Sequence, residues 1–420
     1  MKKIIILLIG FVICVTNVFA QKQLKEVRAS MKAKNYQNVV NAVEKYKADS
    51  AVMNNPELYW LGAEAQRKIN DQFNLKLYLK TANTNDTISY FSTQYAIFNY
   101  LIKCDELESV PDKNGKVKNK SRKKIYSILK SYRPNLFNAG LFFIKKKQYK
   151  EANQYFSMYI NVTDTPIFIA DSLRKTDPKM PRAAFWSLTS SYALNDFKGV
   201  FTFEDLAMRD TVNTRLTLQY KVMAYLALKD TPNMVRELKN GVRYVPNDLF
   251  FFSRLADYYN SVQDYKSGMA LCDSMIKIDD KQLMYKFAKS VIYFHLKDYD
   301  KCIELSKYVL DKDSANVDAH YYLASCYFNQ AIVIDDNLKT DTDEQTFVSK
   351  RAMVKNLYEM ALPYFEYYRQ KSPETSDRWA LPLYRIYLYL NMGKQFAEID
   401  QLLSKIEKEK EAKAAEQKKK

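Results

Sequence analysis

Three stretches of the chain write the same turn and helix: KKKQYKEANQYFSMY at 145–159, SVQDYKSGMALCDSMI from 261 and HLKDYDKCIELSKYVL from 295. Tyr265 and Tyr299 stand 34 residues apart. The helices before them keep that interval, with Ala256, Ser290 and Ala324 as one series and Tyr259, Tyr293 and Tyr327 as another. Gly140, Phe143, Tyr149 and Ala152 repeat Ala256, Tyr259, Tyr265 and Gly268 at one constant offset. The small residue lets two antiparallel helices approach closely, and the aromatics fill the gap to the next pair. Such a unit cannot bury its apolar face alone, so it must be stacked against copies of itself. The chain has 8 glycines and 11 prolines against 33 tyrosines, too few turn residues for a β architecture and enough bulk for helical interfaces.

This pattern resembles the tetratricopeptide repeat (TPR). The matches are YWLGAEA (59–65), LFNAGLFFIKKKQYKEANQYF (136–156), FFSRLADYYNSVQDYKSGMAL (251–271), YKFAKSVIYFHLKDYDKCIEL (285–305) and AHYYLASCYF (319–328). Weaker units fit at 35–46, 185–201, 220–235 and 383–403. The resemblance implies an all-α solenoid of about ten helix pairs over residues 21–408. Three insertions interrupt it, a basic one at 109–124, a proline-containing one at 163–182 and an acidic one at 335–349. A basic low-complexity tail follows at 409–420.

Residues 1–20, MKKIIILLIGFVICVTNVFA, set two lysines before an apolar run and end on Val18-Phe19-Ala20, the pattern of a secretory signal peptide cut near Ala20. Ile13 stands where a small residue would be needed before a lipidated Cys14, which argues against a lipid anchor. No later run is long enough to span a bilayer, so the expected location is the periplasm, the outer membrane surface or the exterior. The signal segment and the closing LYRIYLYLNMGKQFAEID also resemble secreted TPR proteins of Bacteroides-type bacteria. Cys104, Cys272, Cys302 and Cys326 form no disulfide framework and are expected as free, buried small residues. The triplets at Ser50, Thr87, Ser172, Thr211 and Ser314, each after an aspartate and before an aliphatic residue, resemble the O-glycosylation acceptor of exported proteins in such bacteria.

Catalytic material is scarce. His295 and His320 are the two histidines of the chain, which leaves a His-based triad or a multi-histidine metal site with little material. Ser-x-x-Lys matches at Ser121, Ser127 and Ser172 lack partner motifs, and no phosphate loop or CxxC pair occurs. The expectation is a non-enzymatic protein with no cofactor or metal.

In TPR proteins the first helix of each pair lines a concave groove. Aligning on Ala256, Ser290 and Ala324 directs Phe250, Ser253, Asp257, Phe287, Val291, Phe294, Tyr321, Ser325 and Phe328 towards it, with Phe137 and Leu141 at matching earlier positions. Such a groove is aromatic more than cationic and suits a peptide held by side-chain pockets. The Lys and Asn residues of the family's clamp for acidic C-terminal peptides are absent from these positions. The same aromatics also suit plain packing between repeats. The formal charge of +17 leaves an anionic envelope surface as a second partner class, while no nucleic-acid module is recognisable. The expected function is therefore an exported scaffold or adaptor that binds a protein or peptide. The alternative is a carbohydrate-binding or envelope-polymer-binding protein of SusD-like type.

Overall fold

The turn between paired helices is built the same way eight times. Lys34, Lys80, Lys147, Asn195, Lys229, Gln263, Lys297 and Asn391 all have positive φ, between 54° and 61°. Each ends a helix in the left-handed conformation, so its N–H and the next one turn back onto orphan carbonyls of the last turn. At Lys297 these bonds are Lys297 N–H to Phe294 O and Asp298 N–H to Tyr293 O, both 3.0 Å. Asp298 then caps the following helix by accepting from Lys301 N–H. Asp264 does the same for Ser267 N–H. Two residues thus close one helix and open the next.

The computed structural model describes residues 21–111, 114–117, 119–338 and 343–417, with side chains as far as 409. The expected signal peptide at 1–20 and the side chains of nearly all the tail lie outside these residues. Among the described residues the chain is an all-α solenoid of nineteen helices without a strand. Its contacts divide it into two units, one ending at Glu237 and one starting at Leu238.

The first unit holds α1 (21–32), α2 (Tyr36–Tyr46), α3 (Pro56–Tyr78), α4 (Thr84–Glu108), α5 (Arg122–Lys145), α6 (Tyr149–Asn161), α7 (Leu173–Thr176), α8 (Met180–Ala193), α9 (Glu204–Ala207) and α10 (Thr214–Ala227). The division falls within α11 (Thr231–Tyr244). Successive helices pack on one another, α3 on α4, α5 on α6 and α6 on α8. Leu58, Ile97, Phe98 and Phe156 are fully enclosed between them. Gly140 in α5 lies directly against α6, since a Cβ there would stand 2.5 Å from the Phe156 ring.

The insertions of this unit are pinned rather than loose. At the end of α4, Asp105 takes two hydrogen bonds from Arg122 at 2.8 and 2.9 Å, closing the basic segment at its base. The segment 163–182 contributes Ile167 and Phe168 to the core. It is also held by Asp177, which accepts from Arg133 at 2.6 Å, from the Tyr159 hydroxyl at 2.5 Å and from Lys179 N–H at 2.9 Å. The Arg133 guanidinium lies 3.8 Å over the Tyr159 ring.

The second unit holds α12 (Leu249–Ser261), α13 (Tyr265–Ile278), α14 (Leu283–His295), α15 (Tyr299–Lys312), α16 (Val317–Leu338), α17 (Glu344–Lys371), α18 (Ser376–Tyr389) and α19 (Gly393–Gln417). Two of the small positions of the repeat, Ser290 and Ala324, have no exposed surface. Most of the acidic insertion is helical, because Asp335–Leu338 finish α16 and Glu344–Ser349 open α17. Arg385 in α18 reaches Asp335 at 3.3 Å, giving that acidic end an opposite charge on a neighbouring helix. Leu323, Tyr327, Val354, Tyr358 and Phe365 form the apolar seam between the two long helices. Among the described residues the four cysteines are free and buried, as expected, and the Cys302 thiol lies 3.8 Å from the Ser306 hydroxyl.

Candidate groove on the first helices of the second unit

α12 and α14 are the first helices of consecutive pairs, each with a side-chain cap. Asp248 accepts from Phe250 N–H at 2.9 Å, and Gln282 accepts from Met284 N–H at 3.3 Å. Between them lies a recess of about 90 Å³, walled by Phe252, Ala256, Met284, Phe287, Ala288, Val291 and Ile292. Ser253, Asp257 and Asn260 supply its polar side. The structure therefore brings together Ser253, Asp257, Phe287 and Val291, four of the positions read from the sequence. The spacing that joins them is helical: 253, 257 and 260 share one face of α12, and 284, 287, 288 and 291 one face of α14.

Phe250, one turn before Ser253 on α12, is half-buried, edge-on to Phe251 at 5.1 Å, with the Arg254 guanidinium 3.9 Å over its ring. Asp257 is exposed at the margin of the recess, and the apolar walls push its carboxyl above the ordinary range, against a smaller opposing pull from Arg254. Phe287 and Phe294 are half-buried and both meet Tyr322 edge-on, at 5.9 and 5.3 Å.

The remaining positions are placed otherwise. Tyr321 lies against Tyr368 at 5.0 Å and Phe328 against Tyr358 at 5.8 Å, both in the seam with α17. Ser325 is buried in the same helix. In the first unit Phe137 is buried between Phe156 and Tyr159 at 5.7 and 5.6 Å, and Leu141 is half-buried against that core. Asn260, Met284 and Ile292 were not read from the sequence as part of the groove. Their signal was the same i, i+3, i+4 stripe extended by one turn.

A second recess, of about 620 Å³, opens between the start of α15 and the pair α16–α17, with Val333, Ile334, Met353 and Leu357 as apolar walls and Lys297, Gln330 and Asn356 at its rim. The two histidines lie apart from both recesses: His295 stacks on Tyr265 at 5.7 Å, and His320 stacks on Tyr367 at 3.9 Å. Among the described residues no three His, Cys, Asp or Glu side chains converge to hold a metal ion, and no helix is long and apolar enough to cross a membrane. Of the serines and threonines in the acceptor-like triplets, Ser50, Ser172, Thr211 and Ser314 are exposed on turns or at a short-helix cap. Thr87 lies in the first turn of α4, its hydroxyl bonded to Asn83 O at 3.1 Å.

No protein-family model matches the chain, and no curated protein matches it in sequence. Solved structures do. The chain is similar to the C-terminal part of a TPR repeat-containing protein from Cytophaga hutchinsonii, with 13% identity over 63% of this chain and 92% of that one and a TM-score of 0.40. It is similar to a tetratricopeptide repeat protein from Parabacteroides merdae, with 12% identity over 65% and 98% of the two chains and a TM-score of 0.35. It is also similar to the human IFIT1 dimer with m7Gppp-AAAA, with 16% identity over 90% and 66% and a TM-score of 0.34.

Proposed function

We propose that this chain is an exported, non-enzymatic scaffold that binds a protein or peptide partner through the first helices of its second unit. The observation that carries the reading is the α12–α14 face, where Phe250, Phe287 and Val291 are only half-buried and a recess lies between the two helices that no described side chain fills. Aromatic side chains beside a small pocket are the usual anchors of protein recognition. Export is supported by the lysine-led apolar segment at 1–20 and by the acceptor-like triplets, four of which present their hydroxyl residues outside regular long helices. The non-enzymatic reading is supported by the separation of the two histidines from any carboxylate partner in either recess.

The test is crosslinking in the native host, purification of the protein and identification of what travels with it. A stoichiometric envelope protein, lost when Phe250 and Phe287 are both changed to alanine in a variant of unchanged helical circular dichroism, supports the scaffold. Recovery of a glycan or envelope polymer in place of a protein overturns it.

A further inference from the structure

The recess between α12 and α14 presents oxygen acceptors that the described residues leave unused. Asp257 makes no hydrogen bond or ion pair among the described residues, and Asn260 Oδ1 is fully buried without a partner. The Ser253 hydroxyl spends its hydrogen on Leu249 O at 2.8 Å, so it offers lone pairs to the recess. A buried acceptor left unpaired is unfavourable, and the Asp257 carboxylate at the margin adds negative charge beside it. Both would be relieved by a donor carrying positive charge.

Size narrows the occupant. The recess of about 90 Å³ holds the volume of roughly three waters, enough for the end of one side chain and not for a helix or strand. Shape narrows it further. A lysine ammonium is a compact point charge with three donors on a thin apolar stem, whereas arginine presents a planar fork suited to paired acceptors in one plane. Here the acceptors are spread along one helix face, and the opposite wall is aliphatic and aromatic.

We propose that this recess is the pocket for one lysine side chain of the partner protein, the ammonium held by Asp257 and Asn260 and the methylenes lying against Phe287, Val291 and Ile292. The proposal rests on the scaffold reading and specifies what that scaffold recognises. Arg254, stacked on Phe250, is the internal competitor, since a rotamer change would bring its charge towards Asp257.

The probe is n-butylammonium, which reproduces a lysine side chain, with 1-butanol as the uncharged control. Binding to the purified protein is followed through the 13C-methyl resonance of Met284, which lines the recess. The expected result is a saturable shift with butylammonium, at least tenfold weaker affinity for butanol, loss of binding in Asp257→Asn and in the recess-filling Ala288→Met, and tighter binding in Arg254→Gln. No saturable shift, equal affinity for the two probes, or full binding by Asp257→Asn overturns the assignment. A partner captured equally well by the Asp257→Asn protein also removes the lysine pocket while leaving the scaffold standing, so the two readings fail separately.

Discussion

A lysine held at positive φ works against the fold at the position it occupies. The left-handed conformation costs an L-residue about 1–2 kcal/mol, and glycine avoids most of this at an entropic cost of about 0.5–1 kcal/mol. Lys297→Gly should therefore stabilise the chain by about 0.5–1 kcal/mol, read as a higher urea midpoint. Ala270→Gly, on the exposed side of α13, should lose about 1 kcal/mol in the same assay. Gly140→Ala should be destabilising by about 1–3 kcal/mol, because its new methyl meets the enclosed Phe156 ring and neither can withdraw. The cysteines give a chemical readout. Burial pushes the Cys104 and Cys272 thiols up to about 12, so they stay protonated and shielded. Iodoacetamide should label neither in the native protein and both in urea.

These residues also show what the sequence could and could not disclose. Gly140, Ser290 and Ala324 were readable because close helix approach demands small side chains at a fixed interval. The left-handed turns were not, because lysine, glutamine and asparagine carry no signature there where glycine would. Asp257 and Phe287 could be placed on a common face by register alone. Whether Phe137, Tyr321 and Phe328 faced outward or filled a seam depended on helices far along the chain, and no single-helix pattern encodes that contact.

At the scale of elements, the proline-containing segment 163–182 behaves as a strap over α5 and α6. Its anchor is ionic: Arg133 and Asp177 each keep only 9% of their side-chain surface exposed. Removing one partner leaves the other charge buried, so Asp177→Ala should cost about 3 kcal/mol. Burial pushes the Asp177 carboxyl up, but the Tyr159 hydroxyl, Lys179 N–H and Arg133 outweigh it and hold it below its ordinary value. A carboxyl depressed in the folded state stabilises fully above its unfolded pKa and loses that contribution as the pH falls through the folded one. The penalty of Asp177→Ala in urea melts should therefore be full near neutrality and shrink on acidification below the ordinary carboxylate range. A penalty constant down to pH 3 would count against the anchor. The long pair α16 and α17 makes a different point about elements. An acidic run reads as loop by composition, yet Leu338 and Val354 keep the apolar register and carry the helices through most of it.

At the scale of the whole molecule, stability in a stack is the sum of each unit and its contacts with the next, so all-or-none unfolding is not required. The three tryptophans allow this to be measured. Trp60 and Trp186 lie in the unit ending at Glu237, and Trp379 in the unit starting at Leu238. A Trp60→Phe, Trp186→Phe variant reports the second unit through Trp379, and a Trp379→Phe variant reports the first. Their fluorescence midpoints in urea should differ. Coincident midpoints that also match helical circular dichroism would mean that the chain unfolds as one body.

The repeated turn has a consequence for proteolysis. Five of its eight left-handed residues are lysines, at 34, 80, 147, 229 and 297, and all five are exposed. Trypsin cuts after a lysine or arginine on backbone that can open locally, and helix ends open before helix middles. A brief digestion would therefore cut between the two helices of a pair, leaving fragments that begin and end at these turns and keep whole helices intact.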